Sequence, residues 1–111
     1  MAQDVRESDW RVFRELRQIA LDRFCKRVLE EVNRHSGNAS RSHHERYRDV
    51  YRLLRERDEE LARAFDDPRR SHMISQLAAI YSRDLLNPEE FARFSPETRE
   101  TIESLVKELL R

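Results

Sequence analysis

At 111 residues the chain has room for a single helical domain, 1–111, and none for a second core. Charged residues make up 40% of it, but 22 bases cancel 22 acids and the apolar 38% recurs periodically, which excludes a disordered polyelectrolyte. The lone cysteine, Cys25, excludes an internal disulfide, and no apolar run approaches the ~18 residues that span a bilayer.

The opening residues, MAQDVRESDW, carry charges and no apolar stretch. No secretory signal is therefore expected, and the expected location is cytoplasmic. Ser8 or Asp9 is the predicted N-cap of a first helix running to about Arg34, with Gly37 just past its end. Phe13, Leu16, Ala20, Phe24, Val28 and Val32 step mostly by four, so their stripe turns around the helix and widens at Leu21, Cys25 and Leu29. Cys25 reads as a small apolar side chain on that face.

His35 to Arg41 is a loop. Ser42, followed three residues later by Glu45, is a capping box that opens a second helix to about Phe65. Its apolar stripe is Tyr47, Val50, Tyr51, Leu54, Leu61 and Phe65. Asp67-Pro68, Asn87-Pro88 and Ser95-Pro96 each pair a capping residue with proline at the first helical position. They predict a third helix from Pro68 to near Asp84, a short fourth, and a last helix to about Leu110. The core faces expected are Met73, Ile74, Leu77, Ala78 and Tyr81 on the third, and Ile102, Leu105, Val106 and Leu109 on the last. No strand pattern or repeat occurs. The predicted fold is all-α, an up-down antiparallel bundle of about five helices: three long, one short, one C-terminal.

Asp58 lies at the angular centre of the second helix's stripe, between Leu54 and Leu61. A carboxylate buried there needs a cation. In the hairpin of the first two helices, the predicted register sets Arg17 near its level, and Arg70 is the second candidate. The expectation is a structural buried ion pair of Asp58 with Arg17 or Arg70.

His35, His43 and His44 could gather around the first loop near Glu45. However, adjacent His43 and His44 point about 100° apart on a helix, and no metal-binding spacing accompanies them. A single glycine excludes glycine-rich phosphate loops. No cofactor, catalytic residue or metal ligand is expected.

Of the 22 bases all but Lys26 and Lys107 are arginine. Divided at residues 34 and 70, the first two thirds each carry one excess positive charge and the last third two excess negatives. With no basic pole, nucleic acid is not the expected partner, nor is a membrane. The function expected is a non-enzymatic protein-interaction or regulatory module that self-associates as a homodimer, with the first helix in the contact, since its turning stripe exceeds what shorter neighbours cover. A nucleic-acid-binding regulator, with the second and third helices as a helix-turn-helix, is the alternative. A small-ligand or enzymatic domain built on Asp58 is another.

Overall fold

The computed structural model of the protein describes residues 5–109. It is about 80% helical, and the described residues contain no strand. Five helices follow one another: α1 (Glu7–Ser36), α2 (His43–Phe65), α3 (Met73–Ser82), α4 (Pro88–Phe91) and α5 (Pro96–Leu109). Leu110, the expected last residue of the final helix, lies outside the described residues. Among those residues no helix is long and apolar enough to cross a membrane.

The capping box predicted at Ser42 forms. The Ser42 hydroxyl accepts the Glu45 amide while the Glu45 carboxylate accepts the Ser42 amide. Asn87 and Glu90 do the same at α4. At α5 the Ser95 hydroxyl accepts the Thr98 amide.

Two starts differ from expectation. Asp67 takes a left-handed backbone (φ 52°) and caps nothing. The chain makes a 3-10 turn at Arg70–His72 and α3 begins only at Met73, so it has 10 residues rather than a third long helix's worth. Gln76, buried on α3, holds the junction by donating from Nε2 to the Asp66 carbonyl. At α1 the cap position is Arg6, which makes no side-chain cap bond, and Asp9 serves another element.

Asp9 is 1% exposed. Its carboxylate accepts the Ser95 amide (2.8 Å), the Ser95 hydroxyl (2.7 Å) and the Thr98 hydroxyl (2.8 Å). It thus fastens the first turn of α5 to the first turn of α1. Burial pushes the Asp9 carboxyl upward, but those three donors, with the nearby Arg6 charge, outweigh it and hold the group below its ordinary value.

One apolar cluster joins the elements. Phe13, Leu16, Ala20 and Phe24 of α1 meet Phe65 of α2, Met73, Leu77 and Ile80 of α3, Phe91 and Phe94 around α4, and Ile102 of α5. Arginines on α1 tie the other helices' ends to it. Arg17 donates to the Phe65 carbonyl at the end of α2 and lies over the Phe65 ring. Arg27 donates to the Arg83 and Asp84 carbonyls after α3. Arg23 donates to the Leu85 carbonyl and makes a two-pronged pair with Glu90 of α4. A guanidinium offers several donors in a fixed plane and stays charged, so it can meet the partial negative charge of carbonyls left open at a helix end.

Lengths decide what the core covers. At the usual rise, α1 is ~45 Å and α2 ~35 Å long, against ~15 Å for α3 and ~21 Å for α5. The molecule measures 52 × 28 × 27 Å. α3, α4 and α5 lie along α1 from its start as far as Arg27, so the last turns of α1 and the first half of α2 extend beyond them as a two-helix arm.

Candidate functional site

The arm's register is fixed by contacts along its length. The Arg46 guanidinium reaches the Ser36 carbonyl, Arg57 pairs with Glu31, and the Phe24 and Phe65 rings meet at 5.9 Å. Arg57 is the central polar residue. It donates to both oxygens of Glu31 at 3.0 Å and to Glu60 at 2.7 Å. Glu60 in turn pairs with Arg83. The bonded Glu31 side chain raises the Arg57 pKa further above its ordinary value, and Arg57 lowers that of Glu31.

This register overturns the pair expected for Asp58. Asp58 stands level with the Glu30–Glu31 region, about 13 residues from Arg17, which is ~20 Å along the helix. Arg17 is committed to the end of α2 instead. Arg70 pairs with Glu7 and lies over the Trp10 ring. Asp58 itself is exposed. α2 turns Leu53, Arg57 and Ala64 toward α1, so the strip containing Leu54 and Asp58 faces outward along the arm.

The predicted α2 stripe therefore begins in the core and leaves it. Phe65 is buried and Leu61 half-buried; Leu54 is 44% exposed, Tyr51 57% and Tyr47 70%. Leu29, 62% exposed, is the main α1 contribution. Between Leu29 and Asp58 lies a shallow groove of about 200 Å³ floored by Phe24, Cys25, Val28 and Leu61. The uncovered surface thus sits mostly on α2, not on α1 as its turning stripe suggested. α5 shows a smaller version of the same departure: Leu105 and Leu109, expected in the core, are exposed while Ile102 and Val106 are buried.

Arginines flank the exposed stripe. Arg48 and Arg52 are exposed, and Arg55 lies over the Tyr51 ring at 5.9 Å. Among the described residues none of the three forms an ion pair, whereas nine pairs form elsewhere in the molecule. Tyrosine and arginine are among the residue types enriched in protein contact surfaces.

The other candidates stay apart. His35, His43 and His44 are all exposed at the arm's tip, and no group of three or more His, Cys, Asp or Glu among the described residues could hold a metal ion. Cys25 is a half-buried free thiol against the core. The sequence reading missed Asp9 as a link between helices, although its acid type and Thr98's hydroxyl are both visible; only the fold brings them together across 89 positions. No protein family, curated protein or solved structure matches the chain, so the geometry above is what its function is read from.

Proposed function

We propose that the chain is a protein-interaction module that self-associates through its two-helix arm. The observation that carries this reading is the run of Tyr47, Tyr51 and Leu54 beside Leu29, in which exposure rises steadily with distance from the core. A stripe with core periodicity but no cover marks a place where another apolar surface completes the packing. A two-fold homodimer is the commonest such solution.

Sedimentation equilibrium at micromolar concentration tests it. The wild-type chain is expected at twice the 13.5 kDa of one chain. The double variant Tyr51→Glu/Leu54→Glu, which puts charge on the stripe at two exposed positions, is expected at the mass of one. A wild-type mass near 13.5 kDa, or a variant that still dimerises, would refute the reading.

A further inference from the structure

Bases and acids are separated along the outer face of α2. One shallow groove on the side away from α1 carries Arg48, Arg52 and Arg55 toward its start, and Glu56 and Glu59 toward its end. Tyr47 and Tyr51 line the edge that borders the exposed stripe. Asp58, next to Glu59, adds a third acid at the same end. All six charged residues are exposed, and among the described residues none of them forms an ion pair. Three bases cancel three acids, so the face has no net charge but is basic at one end and acidic at the other.

Such a face is complementary to itself. A two-fold axis across α2 runs the helix of a second copy in the opposite direction and brings the same flank of each helix together. The basic end of each copy then lies on the acidic end of the other, whereas a parallel pairing sets like charge on like. With the axis near Leu54, Arg48 lies ~9 Å of helix rise before it and Glu59 ~8 Å after it, so each comes level with the other across the pair. Arg52 comes level with Glu56 in the same way. Arg55, close to the axis, lies over its own Tyr51 ring.

Resting on the reading that the chain self-associates, we propose that the occupant of this face is the same face of α2 in a second copy, running antiparallel. Tyr51 and Leu54 meet their counterparts near the axis, and Arg48 of each copy pairs with Glu59 of the other. Each α1 stays on the far side of its own α2, so the two arms stack back to back. Salt weakens the pairing, because the charges lie at an exposed rim.

Charge exchange along α2 tests the orientation by sedimentation equilibrium. Arg48→Glu or Glu59→Arg sets like charges opposite one another twice in the symmetric pair. Each alone is expected to raise the dimer dissociation constant on the order of tenfold. The double variant Arg48→Glu/Glu59→Arg puts opposite charges back across the axis and is expected to return to within about threefold of wild type. The two positions are ~16 Å of helix rise apart in one chain, so that recovery cannot arise inside a single copy. Both are exposed, and circular dichroism checks that the helices persist. The wild-type dimer itself should weaken several-fold as salt rises from about 0.05 M to about 0.5 M.

A double variant that stays as weak as its parents, or single reversals that associate like the wild type, overturn the antiparallel pairing of α2. A wild-type dimer indifferent to salt overturns it as well. All three outcomes leave the arm as a contact, which Tyr51→Glu/Leu54→Glu tests separately. A wild type that is monomeric throughout instead defeats the self-association reading on which this rests.

Discussion

Phe65→Ala should destabilise the fold by about 4 kcal/mol, the range seen when a buried phenylalanine is truncated to alanine. Phe65 is the last residue of α2 and is buried against Phe24 and the Arg17 guanidinium. Its ring is the point where the arm's stripe enters the core. Removing it opens a cavity on three elements at once and loosens the seat of the Arg17 side chain, whose hydrogen bond to the Phe65 carbonyl closes α2. Marginal domains hold roughly 5–15 kcal/mol in all, so the loss should be visible as a large fall in the urea midpoint with little change in slope. Both proteins must be compared at one concentration, because self-association adds its own stability. A loss below about 1 kcal/mol would mean that α2 is not anchored there.

Asp9→Ala should cost about 3 kcal/mol at pH 7, since hydrogen bonds to charged groups are among the stronger ones and their removal leaves buried donors unpaired. The Ser95 amide and the Ser95 and Thr98 hydroxyls all lose their acceptor. The pH dependence follows from the lowered pKa of this carboxyl. An aspartate in the unfolded chain titrates near ~3.9, and the folded group lies below it. The stabilisation is therefore complete above the unfolded value and is lost as pH falls through the folded one. The gap between wild type and variant, measured by urea unfolding, should be full at pH 7 and shrink steadily below about pH 4. A gap that is the same at pH 7 and pH 3 would contradict the carboxylate's role.

The outcome for Asp9 shows where sequence reasoning stops. Its local context, an acid near the start of an amphipathic run, is a good N-cap signal, and local signals are all that spacing reveals. The capping box at Ser42 could be read because donor and acceptor lie three residues apart. The bonds of Arg17, Arg23 and Arg27 could not, because their carbonyl partners lie 48 to 62 positions away. The abundance of arginine is visible in the composition, but its use at the ends of neighbouring helices emerges only from the tertiary arrangement.

Asp58 gives the opposite lesson. The stripe through Tyr47, Tyr51, Leu54 and Phe65 is real as a periodicity, and Asp58 does stand at its centre. Periodicity marks the face that can be covered, not the length of neighbour available to cover it. α3 is too short to follow α2 outward, so the carboxylate meets water and needs no cation. The polar residue that does fix the arm's register is Arg57, one position along and facing α1.

The claim that the outer half of the α2 stripe packs against a second copy can be tested amide by amide. Hydrogen exchange would be followed at a dilute and a concentrated condition of the wild-type chain. Protection in residues 43–55 and around Leu29 is expected to rise with concentration, while the core amides of α3 stay unchanged. Exchange in the arm that is identical at both concentrations would contradict the account.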